Sequence, residues 1–400
     1  MRSLKPLIVF LFLLALIIPY EIKICSGEYT SYWSFRSDNG FELSITEISR
    51  NHQYIICKAN SSSSHKLYCL KVSDGSVAWV FQGSHPIGFP FISLTGHQVV
   101  FQSDQVYCVN GYSGVIKWSK NSIHAVTVSR NGAIIALYNS SVIELYDSMG
   151  INLLNWTINP VLGEISVTAL SDSADLLAVG TTQDKLLLFS VESNRILWEG
   201  NTRGRPHELS ISIHSEYVLV TEQDEFTNPT YLDVFSRESN SCLHTYSYTS
   251  RIEAVSVDQE EHFVVGTKYQ SFVYSFSIGG LQHNREGTIT SPNALSADGL
   301  MVVGKTSSSF WTIELSPLLF SLYPVEGANP IYASVSGDAR YFVTTMDTHK
   351  NYSVLNLFGP TPHRPEPWTL VHLVAITLGL GTLAVLGIIF LKKKWNMRQR

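Results

Sequence analysis

Positive charge is in short supply in this sequence. Of 400 residues only 28 are Lys or Arg, against 33 Asp or Glu, and charged residues of both signs make up 15%. Eight of the basic residues lie before residue 28 or after residue 391, so the chain between carries 20 against 32 acids, a net charge near −12. A nucleic-acid-binding surface needs the opposite sign, and no nucleic-acid partner is expected. Cysteine is scarce too: five residues, no two adjacent. The 13 histidines show no metal-ligand spacing, and no metal or cofactor site is expected. Long apolar runs are missing everywhere except at the two ends.

At the first end, Arg2 and Lys5 precede an apolar run from Leu7 to Ile18, with small residues at Ser26 and Gly27. This is the pattern of a secretory signal, residues 1–27, either cleaved after Gly27 or retained as an anchor. At the other end, Thr369 to Leu391 is 23 residues without an acid, Lys or Arg, preceded by Trp368 and followed by Lys392, Lys393 and Lys394. A helix of that length reaches about 34 Å and crosses a bilayer, with the basic residues 392–400 on the cytosolic side. Ten residues, 359–368, with four prolines among them, read as a stalk. The expected topology is therefore single-pass type I. An ectodomain of residues 28–358 would lie outside the cytosol, extracellular or lumenal.

Within 28–358 the chain repeats itself. A nine-residue line recurs eight times, as "SRNHQYIIC" from Ser49, "SLTGHQVVF" from Ser93, "SRNGAIIAL" from Ser129, "SDSADLLAV" from Ser171, "SIHSEYVLV" from Ser212, "DQEEHFVVG" from Asp258, "SADGLMVVG" from Ser296 and "SGDARYFVT" from Ser336. The starts are 36 to 46 residues apart, with a mean of 41. Each copy is a polar turn followed by a short, β-branched apolar strand, which no helical register accommodates. A period near 41 with several short strands is that of a β-propeller blade, its strands a to d counted from the axis outward. A second line, "GSVAWVFQG" or "GVIKWSKNS", is the hairpin between c and d. Its tryptophans, Trp79, Trp118, Trp156 and Trp198, are wedges expected between neighbouring blades.

The fold expected is all-β: an eight-bladed β-propeller, plus one C-terminal transmembrane helix. The last blade shows strands a, b and c but no d, because the four prolines after Phe358 cannot supply a ladder strand. The spare strand "YTSYWSFRS" near the start carries Trp33 where a d-strand tryptophan belongs, so the N-terminal strand is expected to close blade 8 and remove the open sheet edge. Both flanks of the propeller then leave from the face that carries the c–d turns, which would lie toward the membrane.

Stretches such as "CLKVSDGSVAW", "CVNGYSGVIKW" and "FSVESNRILW" resemble repeats of the pyrroloquinoline-quinone-like (PQQ-like) and WD-repeat propeller superfamily. The likeness is good in blades 1, 2 and 4. It is weak in blade 5, where His244 stands in the tryptophan slot, and poor in blades 6 to 8. Quinone-dependent members of that superfamily hold the quinone and Ca²⁺ in a central funnel, often beside a disulfide between adjacent cysteines. This chain has no adjacent cysteine pair, and its acids, such as Asp258, Glu260 and Glu261, fall in turns. The favoured expectation is a non-enzymatic binding or assembly scaffold for a protein or glycan partner. The alternative is a quinoprotein-like, PQQ-dependent oxidoreductase.

Particular residues carry further expectations. Cys57 and Cys69 flank a hairpin centred at residue 63 and face each other as a disulfide or as two small buried apolar groups. Acceptor sequons stand at Asn60, Asn139, Asn155 and Asn351, three of them in b–c turns. The long b–c connection of blade 5, "TEQDEFTNPTY", places Glu222, Asp224 and Glu225 either on a partner-binding surface or on a solvated acidic loop.

Overall fold

The recurring line is a turn clamped onto the strand that follows it. The computed structural model describes residues 29–360 apart from 39, 50, 122–124, 224–229, 259–261, 276–279, 291–293, 316–317, 326 and 349–351. In seven of the eight copies the leading serine is buried, and its hydroxyl accepts an amide N–H five residues on. Ser49 accepts from Tyr54 at 3.1 Å, Ser93 from Gln98 at 3.2 Å, Ser129 from Ile134 at 3.0 Å and Ser171 from Leu176 at 3.0 Å. Ser212 accepts from Tyr217 at 3.0 Å, Ser296 from Met301 at 2.9 Å and Ser336 from Tyr341 at 3.0 Å. In the remaining copy Asp258 does the same work, its carboxylate accepting the His262 amide at 2.8 Å and meeting the ring Nδ1 at 2.8 Å. A turn buried inside a ring of sheets would strand these donors, and an unmade buried hydrogen bond costs about 1–3 kcal/mol. The serine answers the donor with its own side chain.

In the seven serine-led copies the turn closes through an N–H donated by the fourth residue of the line to the carbonyl of the first, as from Ala174 to Ser171 at 3.0 Å and from Gly132 to Ser129 at 2.8 Å. That fourth residue sits in the left-handed region. It is glycine in blades 2, 3 and 7, but His52, Ala174, Ser215 and Ala339 hold φ of 53°, 67°, 61° and 56° there.

The strands assemble into eight sheets. Blades 1 to 6 and blade 8 have four strands each, in the order a-b-c-d; blade 1, for example, is Glu42–Ile48, Tyr54–Asn60, His65–Lys71 and Val77–Gly83. Blade 7 has three laddered strands, Met301–Lys305, Ser309–Leu315 and Leu318–Pro324. Among the described residues its inner segment meets the second strand at the bridges Thr288–Lys305 and Leu295–Val302. In the ladders between c and d of blades 1 to 6 the register shifts close to the strand's c–d end, as between Cys69 and Leu70 or Leu188 and Phe189, and in blade 5 it shifts at two successive steps. Such a bulge adds twist to an edge strand.

Blade 8 closes as expected. Its sheet runs Asn329–Val335, Phe342–Asp347, Ser353–Pro360 and then the first strand of the chain, Tyr29–Arg36. Ser37 N donates to Ser353 O at 3.0 Å, and the Ser34 hydroxyl donates to Asn356 Oδ1 at 2.5 Å. The residue numbers rise on one strand as they fall on the other, so the pair is antiparallel. The closing strand therefore starts, and the Ser353–Pro360 strand ends, on the face of the c–d turns. That last strand runs through Gly359 and Pro360, two residues into the segment read as stalk.

The core is a ring of layers, each shared by two neighbouring blades. Leu43, Ile55 and Leu70 of blade 1 pack on Val343, Leu355 and Leu357 of blade 8, and Ile56, Leu67 and Trp79 pack on Ile92, Val99 and Phe101 of blade 2. Tryptophans lock the outer rim of these layers. Trp33 Nε1 donates to Val72 O at 2.8 Å, Trp79 to Gly111 O at 2.7 Å, Trp118 to Ser148 O at 3.3 Å and Trp198 to Arg237 O at 2.8 Å. In every case the acceptor is at the c–d turn of the next blade. The turn glycines have the same partner. A Cβ on Gly75 would come within 2.7 Å of the Trp33 ring, on Gly114 within 2.8 Å of Trp79 and on Gly150 within 2.7 Å of Trp118. The glycine thus makes room for the tryptophan of the blade before it, not for the tryptophan that follows in its own line.

The Cys57–Cys69 pairing is corrected by this layering. Neither cysteine is in a disulfide. The b–c hairpin of blade 1 pairs Cys57 with Tyr68 and Ile56 with Cys69, so its centre falls between residues 62 and 63. Half a residue of register turns the two side chains to opposite faces of the sheet. Cys57 lies in the layer shared with blade 8 and Cys69 in the layer shared with blade 2. Residues 1–28 and 361–400, with the signal, most of the stalk, the apolar span and the basic tail, lie outside the described residues. Among the described residues no helix is long and apolar enough to cross a membrane.

Two opposite substitutions test the turn chemistry. Gly114→Ala, at φ 69° and against Trp79, should cost about 1–3 kcal/mol in urea denaturation. Ala174→Gly, which relieves φ 67° in a clamped turn, should be neutral to stabilising by up to about 1 kcal/mol.

Candidate interaction faces

A propeller offers two faces and an axis. On the face formed by b–c and d–a connections, the blade 5 loop was expected to present three acids. Asp224 and Glu225 lie outside the described residues. Glu222 does not lie on that loop's surface: it is the penultimate residue of strand b (Tyr217–Gln223) and is 1% exposed. Its carboxylate Oε2 accepts the backbone N–H groups of Arg203 and Gly204 at 2.8 and 2.9 Å. Beside it lies Asp233, equally buried, whose Oδ2 is 3.6 Å from Arg203 Nε. Burial first, and then the Asp233 carboxylate, push the Glu222 acid up to about 8, well above the usual carboxylate range. Glu222 therefore fastens the d–a connection to strand b and is not available to a partner. Its acidic neighbourhood in the sequence gave no sign of this, because burial of a strand end is set by the packing of the connection across it.

Two sequons sit on the same face. Asn60 ends strand b of blade 1, its Oδ1 3.0 Å from His65 Nδ1. Asn139 opens the b–c turn of blade 3, where its Oδ1 accepts the Ser141 and Val142 amides at 2.8 Å each. Asn155 is exposed on the outer strand Asn152–Thr157 of blade 3, and Asn351 lies outside the described residues.

The other face carries the a–b and c–d turns, and here neighbouring blades are bonded turn to turn. Asn51 N donates to Leu94 O at 3.2 Å, Leu94 N to Arg130 O at 2.9 Å, Asn131 N to Asp172 O at 3.3 Å and Asp298 N to Gly337 O at 3.1 Å. His52 Nε2 meets Asp338 at 2.7 Å across the closure. Arg237 Nη1 of blade 5 reaches Asp175 of blade 4 at 3.1 Å, and three serine hydroxyls besides hold that carboxylate below the usual range.

This stitched face encloses the mouth of an axial cavity of about 210 Å³, lined by Phe89, Phe91, Leu94, Val126, Leu295 and Val335, with Glu47 and Arg130 as its charged groups. Glu47 is buried, and loss of water raises its acid to about 7, against the opposing pull of Arg130 and of the Ile92 amide. A second cleft, about 520 Å³, opens between blades 7 and 8, among Phe310, Leu322, Tyr323, Met346 and Phe358. The outer strand of blade 7 there carries no tryptophan. Thr344 Oγ1, on the cleft wall, is buried without a hydrogen-bond partner. Among the described residues no three His, Cys, Asp or Glu side chains converge as a metal site would require. His262, part of the "EEH" stretch, is spent on Asp258 in the turn.

No family model matches this chain, and no curated protein matches it in sequence. Solved structures do match. The chain superposes on the C-terminal WD40 domain of Sif2 with a TM-score of 0.61 and 11% identity, covering 83% of this chain and 98% of that one. The β-propeller domain of Cps50 (Swd1) from Myceliophteria thermophila gives a TM-score of 0.55 and 12% identity, over 83% and 100% of the two chains. The WD-repeat resemblance read from the c–d hairpins is thus matched by the fold.

The buried acids set a pH dependence. Glu47 is protonated in the folded chain at pH values where an exposed glutamate is ionised, so its contribution is full below about 4.5 and lost as pH rises through about 7. Glu222 acts in the same direction. Thermal stability should therefore fall between about pH 4.5 and 8. Glu47→Gln, which keeps an acceptor for the Ile92 amide, should remove about 3 kcal/mol of that slope. Scanning calorimetry of both proteins across that range reads it directly.

Proposed function

We propose that this chain is a non-enzymatic binding scaffold, a WD-type propeller held outside the cytosol by a single C-terminal span. In this reading it presents the b–c and d–a connections to a protein or glycan partner. One observation supports it above the rest. The bonds Ser37–Ser353 and Ser34–Asn356 close blade 8 with the first strand, so both flanks of the propeller depart from one face. Those flanks lead in sequence to the two long apolar runs of the chain. A single face is thereby committed to the membrane side and the opposite one is left open. The same reading accounts for Asn60 and Asn139 at the open face, since glycan acceptors must stand where the lumenal machinery reaches them. The WD40 domains of similar fold lend the scaffold role by analogy alone.

Sealed microsomes test the orientation. Protease added outside should remove an epitope placed after Arg400 and leave the propeller intact, and endoglycosidase should shift the protected fragment. Asn60→Gln and Asn139→Gln should each delete one glycan step. Digestion of the propeller with no glycan on either residue would contradict the reading.

A further inference from the structure

Exposed apolar side chains scattered singly over a surface need no explanation. Those at the c–d turns of blades 1 to 4 are not scattered. Val77, Val115, Ile116, Met149, Ile151 and Ile196 are all exposed, and each stands at the tip of a c–d turn or within the first two residues of the d strand that leaves it. Val115, Met149 and Ile151 reach 63%, 70% and 61% exposure, high for residues of their kind. The corresponding turn of blade 5 is Arg237, Glu238, Ser239 and Asn240, and blade 6 adds a single exposed apolar residue among those described, Leu281, so the run of apolar tips is continuous from blade 1 to blade 4.

The glycine–tryptophan contact explains why these tips protrude. Gly114 and Gly150 press onto the tryptophan of the preceding blade, so the apolar residues after them are turned outward. The crescent begins at blade 1, next to the point on blade 8 where the chain departs. Nine residues after Pro360, the last residue described, the 23-residue apolar run begins, and an extended linker of that length spans at most about 30 Å.

We propose that the c–d rim of blades 1 to 4 rests on the lipid surface, with Val115, Met149 and Ile151 dipping among the acyl chains and the propeller tilted toward that side. This rests on the anchored orientation proposed above and adds a second, peripheral contact to the span. The depth is bounded by the chain itself. Asn155 lies four residues beyond Ile151, on the strand Asn152–Thr157 that this turn leads into, about 13 Å higher, and a glycan there must stay in water. Only the turn tips enter.

The test uses the full chain reconstituted in vesicles of phosphatidylcholine and phosphatidylserine, with Cys25 and the exposed Cys242 replaced by serine. A nitrobenzoxadiazole dye is attached at Met149→Cys or, as control, at Val161→Cys. Val161 is 82% exposed but stands in the d–a connection on the opposite face. Brominated acyl chains should quench the dye at position 149 at least twofold and leave position 161 unchanged. Equal, weak quenching at both positions, in vesicles that retain the chain through carbonate extraction, overturns the lipid contact alone. Release of the chain by carbonate overturns the anchored reading and this inference together. A dye at 149 that is shielded but unquenched, with cross-links between chains through that position, overturns it in favour of a second copy as the occupant.

Discussion

A ring of sheets is stable only if it has no loose edge, and in this molecule the edge is removed by one strand pairing. The first strand, Tyr29–Arg36, lies beside Ser353–Pro360 and supplies the fourth strand of blade 8. Everything said of orientation follows from it. The pairing is antiparallel, so both flanks leave on the c–d side, and in the proposed orientation the b–c turns then form the open face. It also fastens the most distant parts of the chain to each other, with Ser34 bonded to Asn356 across 322 residues of sequence. Trp33 then performs for blade 1 what Trp79 performs for blade 2.

The rest of the ring is held by small devices repeated with the blades. A buried serine clamps seven of the eight a–b turns, and Trp33, Trp79 and Trp118 each pack on the c–d turn of the next blade, where a glycine gives the ring room. Since the apolar layers lie between blades, no sheet has a core of its own, and each depends on both neighbours. Where the devices lapse the structure loosens. Blade 7 has an inner strand reduced to two bridges and an outer strand without tryptophan, and the larger cleft opens beside it.

The architecture was legible because it is periodic. Eight starts near a spacing of 41 located every b strand, and a missing d strand at one end matched a spare one at the other. What escaped the sequence was anything that depends on which side of a sheet a residue faces or on what packs across it. The hairpin centre near residue 63 was off by half a position, enough to turn Cys57 and Cys69 to opposite faces. Glu222 looked like part of an acidic loop and is instead a buried acid bound to two backbone amides. The serines opening the repeats read only as part of a polar turn, because nothing in a linear pattern shows a hydroxyl reaching an amide five positions on.

The central claim is the closure of blade 8, and a cross-link measures it most directly. Cysteines at positions 34 and 356 would stand on facing strands, within the span a disulfide bridges. The account predicts that Ser34→Cys with Asn356→Cys oxidises to a single intramolecular disulfide in the folded chain. It also predicts a higher unfolding midpoint, since so long a loop costs the unfolded chain about 4–5 kcal/mol of entropy. Thiols that stay free under oxidant, or that pair only between chains, would place the first strand elsewhere and contradict it.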